Sequence, residues 1–237
     1  MAGHSGKTDG RHSRWDRHNE ERRLAILDAA IAAIEAAPAG AEVPVADIAT
    51  RAGLSRTVLY RHFEDRADLD LAIRARVFEH VRAVLSPQVT LAGTPTQIIE
   101  RIVGAYVEWA SAHPRLHRVV HQQPLGLPGS PTDQAIGQLA REIRDIIALA
   151  TTVLGFEAEE DLQAALDPLV FGFIGLVMAA VHRWLARPEP TPDAAALTAL
   201  LSEAIWQQIH GMAARRGLEL SAEVPVEQLL AGALETP

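Results

Sequence analysis

The stretch from residue 45 to residue 69, VADIATRAGLSRTVLYRHFEDRADL, limits the folds open to this chain more than any other. Its pattern predicts a helix over Val45 to Ala52, a tight turn, and a short second helix over Arg56 to Phe63. Ile48 and Ala49 are inward residues of the first helix, and Ala49 is small enough to let another helix cross closely. Gly53 follows, and a glycine just past a helix end supplies the left-handed cap that other residues resist. Leu54 plugs the corner. Ser55 is a favoured N-cap, placed to satisfy free N–H groups of the next helix. Val58, Leu59 and Phe63 turn partly inward there, which leaves Arg56, Thr57, Tyr60, Arg61 and His62 outside. This is a helix-turn-helix plan, in which the second helix reads base edges in a DNA major groove and the first crosses the backbone.

The surrounding residues extend the pattern. Arg23-Leu24-Ala25-Ile26-Leu27-Asp28-Ala29-Ala30 precedes it. Asp47-Ile48-Ala49, Ala52-Gly53-Leu54-Ser55 and Leu59-Tyr60-Arg61-His62-Phe63 follow, and Leu69 closes it. Over residues 20 to 70 the chain resembles the DNA-binding end of the TetR family of bacterial transcription regulators. Beyond that segment the likeness is one of length and helical layout. The resemblance implies DNA contacts at Pro44, Val45, Ser55, Arg56, Thr57, Tyr60, Arg61, His62 and Arg66. It places Tyr60 and His62 mainly at phosphates. Arg56 and Thr57, near the helix start, are the better candidates for base edges. Two positions depart from the family. Val43-Pro44 stand where a Thr or Ser usually opens the second helix, so a phosphate contact there falls to backbone N–H groups and the helix dipole. Arg66 stands where the family often has Lys, and it can bind a phosphate bidentately.

A formal net charge of −8 looks wrong for a DNA binder until it is divided. The first 82 residues carry 13 basic and 13 acidic side chains, and the remainder 9 and 17, so the acidic excess lies wholly in the C-terminal part. Local field, not net charge, steers association with DNA. With 237 residues, of which 48% are hydrophobic, the chain can build one large or two modest domains. It has no cysteine, which excludes a disulfide framework, a zinc-thiolate site and a thiol nucleophile. No run of apolar residues free of charges and breakers reaches membrane-spanning length, and the N-terminus lacks a signal-peptide stretch. A cytoplasmic protein is expected.

The first residues, MAGHSGKTDGRHSRWDRH, mix basic side chains with Gly, Ser and His. They read as a disordered basic arm over 1–18, able to lie along DNA. The helix-turn-helix domain is expected over 19–64, opening with a helix from Asn19 to Ala37 whose stripe is Leu24, Leu27, Ile31 and Ile34. From 65 to 237 the pattern is helical throughout. A long helix runs from Asp65 to Leu85. Others run from Pro95 to Ala112 (capped by Thr94), from His113 to Gln123, from Thr132 to Leu154, from Glu159 to Leu185 and from Asp193 to Arg216. A short one lies near Val226 to Ala233. The fold class is all-α, with no strand candidate and no internal repeat.

The helix from Glu159 reads LDPLVFGFIGLVMAAV in its middle and is apolar on every side, so it must be covered on every side. One face can pack on its own subunit and the other on a partner. Gly172, Gly175 and Ala179, with Leu197, Leu201, Ala204, Ile205 and Gln208 of the last long helix, are the expected homodimer interface, an arrangement the resemblance also implies. The resemblance also implies an effector pocket, expected between the helices from Pro95, His113 and Thr132 and the inner face of the helix from Glu159. Its apolar lining would be Ile102, Tyr106, Trp109, Leu116, Val120, Ile143, Ile147, Phe171 and Met178, with Tyr106, His117, His121 and His182 as polar contacts.

His113, His117 and His121 recur at four-residue spacing. His117 and His121 would share a helix face, but a zinc site needs a third ligand, and there is no HExxH. The expectation is no metal and no cofactor. There is also no G-x-S-x-G, no phosphate-binding glycine loop and no paired carboxylates, so no enzyme is expected. The reading is a ligand-responsive DNA-binding regulator. The resemblance implies a homodimeric repressor released from a palindromic operator by a small apolar or amphipathic molecule. The alternative is a DNA-binding protein whose C-terminal domain only dimerises, without effector.

Overall fold

The computed structural model describes residues 9–38, 40–121, 131–153, 160–217 and 219–228. Among these the regular elements are helical: α1 Asp9–Ala36, α2 Val45–Arg51, α3 Arg56–Leu59, α4 Arg66–Leu85, α5 Pro95–Ala112, α6 Pro114–Val120, α7 Pro131–Val153, α8 Glu160–Leu185 and α9 Ala194–Ala214, with a 3-10 turn at Ser86–Gln88. The chain divides into two compact units, one ending at Val77 and one beginning at Phe78. That division falls inside α4, not between residues 64 and 65 as the helix boundaries suggested.

In the first unit α1 packs on α2, and α2 on α3. The core holds Ile26, Leu27, Ala30 and Ile31 from α1, Ile48 and Ala49 from α2, Leu59, Phe63, and then Leu69, Ile73 and Val77 from α4. The turn between α2 and α3 follows from its residues. Gly53 has φ +68°, and the Leu54 N–H reaches back to the Ala49 carbonyl at 2.8 Å. Ser55 caps α3 by accepting the Val58 N–H at 3.3 Å. Two boundaries differ from expectation. Helix α1 begins at Asp9, so the second half of the supposed arm is helix. Residues 1–8 lie outside the described residues. Helix α3 closes after Leu59 and the chain continues as a turn through Tyr60, Arg61 and His62, because their N–H groups bond the carbonyls three or four residues back in a tightening pattern.

In the second unit α5 packs on α9 and α7 on α8. Thr94 opens α5 with a full capping box, its hydroxyl accepting the Gln97 N–H while the Gln97 side chain accepts the Thr94 N–H. Arg101 holds the preceding loop, donating to the carbonyls of Gln88, Thr90 and Ala92 at 3.0–3.1 Å. Asp193 caps α9, and the Trp184 indole N–H bonds the Pro192 carbonyl at 2.7 Å, fixing the α8–α9 connection. The C-terminal segment returns to α5: Val226 N–H bonds the Gly93 carbonyl at 2.9 Å, and Glu227 accepts the Gly93 N–H at 2.8 Å. The expected short C-terminal helix is seen from Val226 to Gln228; its continuation lies outside the described residues.

Alanine at two glycines should separate backbone strain from space. A Cβ at Gly53 would meet nothing within 4 Å, so Gly53→Ala should lose only the left-handed allowance, about 1–2 kcal/mol. Gly104 is helical, and a Cβ there would touch Thr198 at an ordinary 3.5 Å. Gly104→Ala should be neutral or stabilising by up to about 1 kcal/mol. Urea unfolding followed by far-UV dichroism checks both, and equal losses would contradict this assignment.

Candidate functional site

The outer face of the first unit presents Arg56, Thr57 and Arg61, all exposed, with Tyr60 and His62 half-buried beside them. The Arg56 guanidinium lies 5.6 Å from the centre of the Tyr60 ring, so arginine and aromatic share one patch. Ser55 is exposed but its hydroxyl is committed to the cap. Pro44 is exposed with ψ 146° and holds α2's N-terminus open. Val45 is different: its side chain is buried, so any contact it makes to a nucleic acid is through its backbone N–H. Arg66 is already engaged, with Nη1 on the Val43 carbonyl at 2.9 Å and Nε on Asp70 at 2.9 Å. It anchors the entry to α2, and in this arrangement is less free for a phosphate than the sequence pattern implied.

Arg23 belongs to the motif pattern but was given no role from sequence. It donates to the His62 carbonyl and its guanidinium sits 4.3 Å from the centre of the Phe63 ring. One α1 side chain thus closes off the end of the recognition turn, where the shortened α3 would otherwise leave a carbonyl unpaired. The His62 imidazole is held below its ordinary range by partial burial first, then by the charges of Arg22 and Arg23. The signal available in the sequence was the adjacency of two arginines to an apolar stripe, which does not specify what they reach.

The second unit holds a cavity of about 390 Å³, partly open to solvent, within the range of small-molecule sites. Of the residues expected to line it, Ile102, Tyr106, Ile143, Ile147 and Met178 do. Trp109, Leu116, His117, Val120, His121, Phe171 and His182 are not on its wall. Trp109, Leu116, His117 and Val120 are buried elsewhere in the unit. The missing wall comes from elements not considered for it: Phe78, Val81 and Leu85 of α4, Trp206 and Met212 of α9, and Val226 of the C-terminal segment. Almost all of this surface is apolar. The polar exceptions include Tyr106, Thr90, Arg82 and Arg216. The Tyr106 hydroxyl is buried without a hydrogen-bond partner among the described residues, and burial pushes its pKa up, so it stays protonated. Arg82 is tied to Glu142 at 3.0 Å, and the Ser86 hydroxyl donates to the same carboxylate at 2.6 Å.

Behind Tyr106 lies a cluster of histidines. The Tyr106 and His117 ring centres are 6.0 Å apart, and His117 stands beside His121 and His182. Sequence spacing offered only two ligands on one helix face; the fold supplies the third, His182, from the last turn of α8. His113 instead packs against Trp109 at 5.6 Å between ring centres. Burial, then the neighbouring imidazoles, pushes His117 down to about 3 and His121 to about 4. Both rings are neutral at ordinary pH.

The residues expected at a subunit contact fall into two groups. Gly172, Ala179, Ala204 and Gln208 are exposed and Gly175 half-buried. Leu176 and Leu200 join them, 40% and 57% exposed. Leu197, Leu201 and Ile205 are turned into the chain's own core, and Ile205 reaches the cavity wall.

Comparison with known proteins bears on both units. Residues 26–73 match the pattern of bacterial regulatory proteins of the tetR family. An uncharacterized HTH-type transcriptional regulator of Mycobacterium tuberculosis is 30% identical over 224 residues, covering 92% of this chain and 91% of that protein. Among solved structures, a tetR-family transcriptional regulator from Streptomyces coelicolor superposes with TM-score 0.60 at 19% identity, covering 91% of this chain and 89% of its own. RolR, in complex with its ligand resorcinol, gives TM-score 0.61 at 16% identity over 94% of this chain and 97% of that one.

The role of Arg23 is open to measurement. Arg23→Ala should destabilise the first unit by roughly 1.5–3 kcal/mol, the range for a hydrogen bond to a charged group. Arg23→Lys should recover only part, since an ammonium cannot both reach the carbonyl and stack on Phe63. Thermal unfolding of the three proteins decides it; a fully stable alanine variant would remove the assigned role.

Proposed function

Since this chain belongs to the TetR family and is a transcriptional regulator with a DNA-binding helix-turn-helix, we propose that it works as a homodimeric repressor, released from a near-palindromic operator by a small apolar or amphipathic molecule. Helix α4 carries this reading. Its first half places Leu69, Ile73 and Val77 in the core behind the helix-turn-helix, while its second half places Phe78, Val81 and Leu85 on the cavity wall. A molecule in the cavity therefore touches the same helix that supports the DNA-reading unit. The operator should carry half-sites about one helical turn, roughly 34–36 Å, apart. Release requires the effector to bind the non-DNA conformation better, and the shift cannot exceed that difference in affinity.

The cavity's chemistry favours an effector that is apolar over most of its surface with one hydrogen-bond acceptor for the Tyr106 hydroxyl. A sugar or nucleotide would leave its polar groups unpaired against the remaining wall. The alternative, a regulator whose second unit only dimerises, gives no account of an apolar cavity lined by Phe78, Val81 and Leu85. No catalytic role is assigned, and the proposed location is the cytoplasm, with the DNA. The proposed domains are the helix-turn-helix unit and a helical ligand-binding and dimerisation unit. The dimer surface is the exposed small-residue face of α8 around Gly172, Gly175 and Ala179, with Ala204 and Gln208 of α9.

Three measurements test these parts separately. In mobility shifts on a selected palindromic site, Arg56→Ala should relax base preference by about 1–3 kcal/mol at one position, whereas Tyr60→Ala and His62→Ala should weaken binding to all sequences. Unchanged specificity in the Arg56 variant would refute the base contact. Ala204→Asp would place an unpaired charge in a desolvated contact, so sedimentation should show monomers or aggregates where the wild type is dimeric. A wild type that sediments as a monomer at micromolar concentration would end the dimer proposal. Ile143→Trp should fill the cavity, abolishing stabilisation by apolar compounds and their release of DNA while leaving DNA affinity intact. If apolar compounds still release this variant from DNA, the cavity is not their site.

A further inference from the structure

The histidine cluster is not used by the reading above, and its geometry asks for a ligand. His117 lies in α6 and His121 is the residue that ends it, so the two rings share one face. His182 comes from the last turn of α8. One ring nitrogen from each of the three lies within 4.8 Å of the others. Ring centres are 4.5 Å apart for His117–His121, 4.2 Å for His121–His182 and 5.7 Å for His117–His182. The Nε2 atoms of His117 and His121 are both buried and meet no hydrogen-bond partner among the described residues. Two such unpaired atoms side by side are costly in a folded protein.

We propose that His117, His121 and His182 form a three-imidazole site for a divalent transition metal ion of the zinc class, joining α6 to α8. Zinc holds imidazole nitrogens at about 2.0–2.1 Å in a tetrahedron, which sets neighbouring ligand atoms roughly 3.3 Å apart. Closing from the present separation needs side-chain rotation on the order of 1 Å, without a new fold. Three nitrogen donors and no carboxylate in the cluster exclude magnesium and calcium, which take oxygen ligands, and suit zinc, copper or nickel. His182 is exposed, so the fourth position faces water or an incoming donor. Because His117 also packs on Tyr106, a residue of the cavity wall, a bound ion would stiffen the support behind that wall. The site stands on its own residues and does not depend on the identity of the apolar effector.

The test uses the full chain, stripped with a chelator and titrated with zinc chloride against a chromophoric competitor. Uptake of one ion per chain is expected, together with a rise in thermal stability. Cobalt(II) in place of zinc should give the visible bands of a tetrahedral site. His121→Ala and His182→Ala should each lower affinity by at least about tenfold and remove those bands, while His113→Ala should retain both. His182 is exposed, so its variant remains informative if the His121 variant unfolds. Absence of stoichiometric uptake would overturn the proposal. So would uptake unchanged in the His182 variant, which would assign the ion to other histidines such as His4, His12 and His18.

Discussion

One helix contributing to two cores is the constraint on which the rest of the structure depends. Successive side chains on an α-helix are fixed relative to one another by the backbone hydrogen-bond ladder. In α4, residues Leu69, Ile73 and Val77 are buried in the first unit, and Val81 and Leu85, continuing the same line, are buried in the second. The five fall at four-residue intervals along one helix.

The cavity has its own energetic logic. Apolar wall atoms gain free energy when they are covered, about 25 cal/mol per Å² of surface removed from water. A volume of about 390 Å³ walled by such atoms is shaped by the elements around it. Hydrogen bonds hold those elements in place. Arg101 holds the loop before α5, Glu142 ties Arg82 and Ser86 of one wall to α7 of another, and the C-terminal segment is stitched to Gly93. Apolar contacts line the volume and polar contacts brace its rim.

Much of the first unit was legible because its signals are local. Gly53 needs a positive φ, Ser55 needs to cap, and both do so in the structure. Thr94 and Asp193 likewise cap the helices they precede. The second unit was legible as helices and not as a cavity. Periodicity says which face of a helix is covered, not by what. Trp109, Leu116 and Val120 were expected around the cavity and are buried away from it, while Trp206 and Met212, on a helix assigned to dimerisation, form part of its wall. Leu197, Leu201 and Ile205 show the same limit from the other side. Their apolar stripe is real, but it faces the chain's own core. His182 was expected with His117 and His121 as a polar contact of one pocket, but not as a third ring clustered with theirs: 61 residues separate it from His121, and the packing of α6 on α8 brings them together.

Helix α8 remains the least satisfied element of the second unit. Within Gln163–Leu185 an 18-residue window reaches a mean hydropathy of 2.1, long and apolar enough to cross a membrane by composition alone, yet only 22% of that window is buried in the chain. The covered residues are not scattered. Val170, Val177, Met178, Val181 and Trp184 recur at helical spacing and are the buried ones, so α8 has one inner face that belongs to this unit. Asp167 and Pro168 interrupt the stretch near one end, and His182 and Arg183 near the other. A lipid-facing helix gains nothing from one face packed like a soluble core and charges at that depth. The opposite face carries Gly172, Leu176 and Ala179, small or aliphatic, with nothing bulky to hold a partner away. A protein surface of matching shape removes that face from water. A second copy of α8 across a two-fold axis offers the same small residues in the same order, so the surface need complement only itself.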